Sequence, residues 1–197
     1  MAFLSGAEIE DLVQSGHVHI DPFDSRLLKP ASYVLRLGDG WRGQSGPGPV
    51  VELESASDVV GPLQTAPEMV LDPGGFCLGC TAESLAIPRD HVGLVVPLSH
   101  VARAGISVGL GSLLVSPGFG DSEPTRLTLE IVSHTTRGTR LRAGTPICHL
   151  LLAPVPSDRS DRLLGHSVYS GRPSPVPSNL YEEFSFLGEH DEEGSCT

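Results

Sequence analysis

A mainly β fold is predicted, a distorted jelly-roll barrel preceded by one short helix, and three observations predict it. Brief apolar runs recur at 76–80, 84–87, 92–98, 106–108, 112–115, 127–132 and 147–153. Turn-forming residues separate them, in a chain that holds 23 Gly and 17 Pro. Past the amino terminus almost no stretch shows helical periodicity, and many short strands joined by such turns close into a barrel or sandwich. The absence of a fixed-period repeat excludes a solenoid.

Taken in order, Ser5-Gly6-Ala7-Glu8-Ile9-Glu10-Asp11-Leu12-Val13-Gln14-Ser15-Gly16 has a capping serine, early acids, apolar Ile9, Leu12 and Val13, and a closing glycine. That pattern predicts a short amphipathic helix. His17-Val18-His19-Ile20 alternates as a strand, with His17 and His19 on its polar face expected to be solvated rather than ligands. Ser32 to Gly38 reads as a further strand. From Asp39 to Ala66, Gly, Pro and Ser dominate and the apolar runs are brief, so loops and an irregular hairpin are expected. The short β runs follow. Residues 167–179 carry too many prolines and too few apolar groups for a core element. Two readings stand for them: an arm that orders over a ligand or a neighbouring subunit, and a plain disordered tail. The predicted organisation is therefore a barrel domain at 1–166 and an arm with an acidic tail at 167–197.

At 197 residues the chain can form one domain that buries roughly 70% of its unfolded surface. With 13 Lys and Arg against 24 Asp and Glu, the net charge is −11. Without a basic block, neither a nucleic-acid backbone nor an anionic membrane is an expected partner. No apolar run is long enough to span a bilayer, and Met1 to Gly6 lacks the pattern of a secretory leader, so a soluble cytoplasmic protein is expected.

Chemistry is signalled first by Leu127-Thr128-Leu129-Glu130-Ile131-Val132, which sets one carboxylate inside an otherwise apolar strand. Burying such a group is costly without a task or a partner. Upstream, Ser99-His100-Val101-Ala102-Arg103-Ala104-Gly105 offers a hydroxyl, a guanidinium and turn-forming backbone for an anion. Together these suggest an acid/base group beside a phosphate site. The structural alternative is a core ion pair between Glu130 and an arginine.

Of the four cysteines, Cys77 and Cys80 form a Cys-x-x-Cys pair, but strand alternation sends residues three apart to opposite faces, so buried thiols are expected rather than a metal or redox site. Zinc-dependent base deaminases need His-x-Glu followed by Pro-Cys-x-x-Cys. Here the only His-x-Glu is His190-Asp191-Glu192, in the acidic tail with a lone Cys196 behind it, so no zinc is expected in the chemistry. His149 reads as a hydrogen-bonded core residue and His134 as a turn residue.

A series of motifs resembles the dCTP deaminase branch of the dUTPase superfamily, from about residue 3 to residue 184. They are Asp21-Pro22-Phe23-Asp24, Pro30-Ala31-Ser32-Tyr33-Val34-Leu35-Arg36-Leu37-Gly38, Pro73-Gly74-Gly75-Phe76, Ser99 to Gly105, Ser116-Pro117-Gly118-Phe119, Leu127 to Glu130, Gly144-Thr145-Pro146-Ile147, Tyr169-Ser170-Gly171-Arg172 and Pro175-Val176-Pro177-Ser178. The resemblance implies a dUTPase-like barrel, a homotrimer with active sites shared between subunits, and an arm closing over a nucleotide. It assigns Glu130 as the base that takes a proton from water attacking C4 of cytosine, with ammonia leaving and no metal in the chemical step. Ser99 matches the family's serine, and Arg103 the arginine that orients the carboxylate or stabilises charge beside it. Tyr169 matches the arm tyrosine. A magnesium ion would enter bound through the nucleotide phosphates.

The chain is a divergent member on this reading. Leu98, Ser99 and His100 stand where relatives commonly have a basic residue and two serines. Val168 replaces the arm lysine, and Ser170 and Arg172 replace glutamines. Arg172 and a protonated His100 are the residues available to restore part of the lost charge. Ser116 replaces an aspartate associated with the sugar and, in the dUTPase branch, with water activation. Gly111-Ser112 replaces a Thr-Ala segment beside the base, Val34 replaces an acid, and the turn from Gly120 to Arg126 is longer. Ser112 and Ser116 thus join His100, Tyr169 and Arg172 as expected substrate contacts. Three functions compete: a cytosine nucleotide deaminase, a nucleoside triphosphate pyrophosphohydrolase disfavoured by Ser116, and a trimeric nucleotide-binding protein without turnover.

Overall fold

The computed structural model describes residues 2–45, 59–109, 113–155 and 174–179. Helix α1 spans Gly6–Gln14 and starts at a reciprocal cap, in which Ser5 Oγ accepts from the Glu8 backbone while the Glu8 carboxylate accepts from the Ser5 backbone. Its apolar side seats Ile9 wholly in the core. The strands are β1 (His19–Asp21), β2 (Leu28–Lys29), β3 (Ser32–Gly43), β4 (Gln64–Thr65), β5 (Glu68–Leu71), β6 (Phe76–Ala86), β7 (His91–Pro97), β8 (Ile106–Val108), β9 (Leu114–Val115), β10 (Thr125–Ser133), β11 (Thr139–Arg142) and β12 (Pro146–Pro154), with a second helix α2 at Ser99–Arg103.

A ten-stranded sheet runs in the order β8-β10-β6-β3-β12-β7-β9, with β1 on β6 and with β2 and β4 on β3, while β5 and β11 pair separately. The long central strands β3 and β6 each change partners along their length, which bends the sheet around one core. That core holds Tyr33, Leu35, Leu37, Trp41, Leu85, Leu129, Ile131, Leu150 and Leu152. Trp41 keeps its indole N–H satisfied by donating to the Ala66 carbonyl at 2.9 Å. The expected mainly β architecture, a curled barrel-like sheet preceded by one short amino-terminal helix, is the fold observed.

Several local expectations change. The runs at 76–80 and 84–87 are one continuous strand, because Thr81 and Glu83 are tolerated in its buried middle: Thr81 Oγ1 donates to the Glu83 carbonyl at 2.6 Å. The stretch after Gly38 is not loop at first, since β3 continues through Asp39-Gly40-Trp41-Arg42-Gly43. Gly40 serves a close approach there, as a Cβ would lie 2.9 Å from the Ser174 carbonyl oxygen. Pro175 and Val176 are buried against the sheet, so the proline-rich segment contributes to the packing after all. Of the arm and tail predicted at 167–197, only 174–179 fall among the described residues. Among the described residues no helix is long and apolar enough to cross a membrane.

Candidate active site

Alternation along β10 drives Leu129 and Ile131 into the core and turns Thr128 and Glu130 to the opposite face. Glu130 lies opposite Leu78 of β6, and Leu78 lies opposite Arg42 of β3. Directly paired residues share a face, so Arg42, Leu78 and Glu130 form one row across three strands. Leu78 separates the two charges by two strand spacings, roughly 10 Å. Arg42 is engaged elsewhere, donating to the Pro175 carbonyl at 2.7 Å and to the Gly61 carbonyl at 3.1 Å.

Glu130 is half-buried. Loss of water around the carboxyl raises its pKa above the ordinary glutamate value, only partly opposed by its own backbone N–H. Among the described residues no cation pairs with it. The core ion pair weighed as its structural explanation exists, but between other residues. Glu83, with no exposed surface, accepts from Arg36 Nε at 2.7 Å and from the Arg36 backbone at 2.9 Å. Glu130 is therefore a partly desolvated carboxyl without a counter-ion among the described residues, which suits a group that must take up and release a proton.

Ser99, His100 and Arg103 all lie on α2 and are exposed. The turn after α2 closes at Gly105, whose φ of +79° favours glycine, and the Gly105 carbonyl accepts from the His134 backbone at 2.8 Å. β8 then runs antiparallel to β10, pairing Ile106 with Ser133 and Val108 with Ile131, and the Gly109 N–H donates to the Glu130 carbonyl at 2.9 Å. Arg103 thus enters at one end of β8 while Glu130 sits opposite the other end. Within one chain the structure does not join Arg103 to Glu130 in an ion pair.

Ser116 is exposed at the head of a turn after β9, where the Phe119 N–H donates to its carbonyl at 3.1 Å. The longer turn that follows is tied down by Arg89 Nε donating to Asp121 Oδ2 at 2.9 Å and by Arg126 donating to Asp39 at 2.8 Å. Ser112, Tyr169 and Arg172 lie outside the described residues. So do Cys196 and the acidic tail. His149 is half-buried and bonded through Nδ1 to Ser32 Oγ at 2.9 Å, and burial lowers its pKa. His134 sits in the turn after β10 and bonds Ser107 at 2.8 Å. Cys77 and Cys80 are buried free thiols on opposite faces, paired with Ile131 and Thr128 respectively, and burial pushes the Cys77 thiol up to about 12.

The sequence predicts an arm over the site but not the strand on which it lies. Ser174 Oγ donates to the Arg126 carbonyl at 2.6 Å, and the Val176 N–H donates to Thr128 Oγ1 at 2.9 Å. The described part of the arm therefore advances along β10 two residues for two, on the same face as Glu130 and toward it. Only the prolines hinted at an extended path; the partner strand was not visible.

A curled β-sheet carrying a half-buried carboxyl that no described cation pairs, an exposed serine and arginine on α2, and an arm bonded to the strand that bears the carboxyl together define a barrel-type protein with a candidate acid/base site. The family model described as dCTP deaminase-like matches residues 3–155, and the chain belongs to that family. A Parafrankia protein named "dCTP deaminase, dUMP-forming" is 31% identical, with 92% of each chain covered. A Methanothermobacter thermautotrophicus protein of the same name is 28% identical over 93% of this chain and 96% of its own length. Among solved structures, the 2'-deoxycytidine 5'-triphosphate deaminase from Agrobacterium tumefaciens superposes with a TM-score of 0.60 at 21% identity, covering 78% of this chain. This chain spans about half of that crystallised chain (48%), and the likeness establishes the fold.

Proposed function

We propose that this chain hydrolytically removes the 4-amino group of a cytosine nucleotide, with Glu130 as the proton-transfer group. Water adds to C4 as one of its protons passes to the Glu130 carboxylate; that proton then goes to the departing nitrogen, the C4–N bond breaks to give ammonia, and the remaining water proton ends on N3 of the uracil nucleotide. The observation that carries this reading is the half-buried Glu130 carboxyl, its pKa raised and no cation beside it among the described residues. A carboxyl poised nearer the working pH serves both transfers better than an ordinary one. Family membership and the names of the two relatives support the substrate class.

On this proposal Ser99 and Arg103 reach the Glu130 of a neighbouring protomer in a homotrimer. Their exposure on α2 and the lack of an intrachain pair support that arrangement. His100, Ser112, Ser116, Tyr169 and Arg172 are the proposed nucleotide contacts. Any magnesium enters with the phosphates: among the described residues no cluster of three potential ligands involves α2 or Glu130. The proposed compartment is the cytoplasm.

The test is ammonia release from dCTP, CTP, dCMP and CMP by the purified protein, with calorimetry alongside. Release from at least one of them is expected. Binding without product would select the reading without turnover. The relatives' names favour a second activity, cleavage of the phosphates to yield dUMP. Ser116 stands where an acid was expected, so chromatography should show whether the product is the triphosphate or the monophosphate.

A further inference from the structure

Outside the Glu130 face, one cluster has no part in the proposed chemistry. His17 follows α1, with its backbone N–H donating to the Leu12 carbonyl at 2.9 Å. Asp90 ends the turn between β6 and β7 and His91 opens β7, held by Val155 N–H donating to the Asp90 carbonyl at 2.7 Å and His91 N–H donating to the Pro88 carbonyl at 3.1 Å. Both segments are thus anchored by their backbones. His17 Nε2 lies 3.0 Å from each Asp90 carboxylate oxygen, and His91 Nδ1 lies 2.8 Å from Oδ1. The two rings meet edge to face at 5.5 Å, and one ligand atom from each of the three residues lies within 4.8 Å of the others. The expectation that His17 is merely solvated is therefore incomplete.

We infer that His17 Nε2, His91 Nδ1 and the Asp90 carboxylate form a binding site for Zn²⁺ that joins the segment after α1 to the β6–β7 turn. Two imidazoles and one carboxylate are borderline nitrogen and oxygen donors, which suit zinc and not the all-oxygen shells of magnesium or calcium. Tetrahedral ligands about 2.0–2.1 Å from zinc stand roughly 3.3 Å apart. The two imidazole–carboxylate contacts, at 2.8 and 3.0 Å, need to open by only a few tenths of an ångström, while the two imidazole nitrogens, within 4.8 Å of each other, settle to the same spacing around the ion. The hydrogen-bonded and metal-bound forms exclude each other. In the first, both inward nitrogens carry protons toward Asp90; in the second, those protons sit on the outward nitrogens. His91 is nearly buried, whereas the His17 and Asp90 side chains are 43% and 44% exposed, which gives the ion an entry path and leaves a fourth position for water. No catalytic role follows, since the set lacks the zinc-deaminase pattern.

The test uses the full chain stripped with chelator and titrated with Zn²⁺ by calorimetry, with a thermal melt at saturation. One ion per chain and a raised Tm are expected. His17→Ala, at a half-exposed position, should retain the metal-free Tm yet weaken binding at least tenfold and abolish the zinc-dependent rise. His19→Ala, at a nearby exposed histidine outside the cluster, should bind as the parent does. No binding by the parent chain, or a His17→Ala isotherm matching it, overturns the assignment.

Discussion

Replacing Glu130 by Gln removes one proton site while keeping the shape of the side chain, and it should move activity and stability in opposite directions. A positioned general base contributes about 10²–10⁴-fold. The structure points to the upper half of that range, because desolvation raises the Glu130 pKa and among the described residues no cation opposes it. A loss of about 10³-fold is expected, equivalent to about 4 kcal/mol of barrier at 1.36 kcal/mol per factor of ten. Stability has the other sign. An acid whose folded pKa lies above its unfolded value contributes stability that is present below the unfolded value, about 4.3, and lost as pH rises through the folded value. Glutamine has no such loss. The variant should therefore match the parent in acid and exceed it above neutrality. Ammonia release read with urea midpoints at pH 4 and pH 8 checks both halves. A variant within fivefold of the parent rate, or one less stable at pH 8, would refute the reasoning, since the latter is how a broken structural ion pair behaves.

Glu83→Gln should behave in that structural way. It leaves Arg36, 27% exposed, without its carboxylate, at a cost of about 3 kcal/mol, the low end for a broken buried pair because water reaches the guanidinium. That predicts a Tm lower by roughly 6–12 °C, largely restored in a Glu83→Leu, Arg36→Met double variant; equal instability in the single and double variants would show that the pairing is not the cause. If active sites are shared between protomers, inactive Glu130→Gln and Arg103→Ala chains, unfolded and refolded together, should recover about a quarter of parental activity through mixed trimers. No recovery in assembled mixtures would place both residues in one chain's site. Ser5→Ala deletes half of the α1 cap and should lower the unfolding free energy by about 1 kcal/mol, measured by urea titration.

Features carried by short-range chemistry were legible without coordinates. The Ser5–Glu8 cap announces α1, and Gly, Pro and Asp mark the turns between most strands. The carboxylate in Leu127 to Val132 marks the strand where a proton-transfer group can stand. Strand alternation also separates Cys77 from Cys80. β5 and β11 were missed because Glu68-Met69-Val70-Leu71 and Thr139-Arg140-Leu141-Arg142 are short and mixed in polarity. Each becomes a strand through the other, with Glu68 accepting from both Arg140 and Arg142.

What only the tertiary structure decided is which distant groups meet. Glu83 and Glu130 both sit in apolar strands, yet β3 delivers Arg36 to Glu83 and leaves Glu130 unpaired by any described cation. Likewise the arm reaches Thr128, and His17 reaches Asp90, only because the sheet closes around its core. Local sequence sets dihedral preference and the buried face of each strand. Pairing between remote segments depends on register, sheet curvature and the cost of closing long loops, which no short stretch of chain encodes alone.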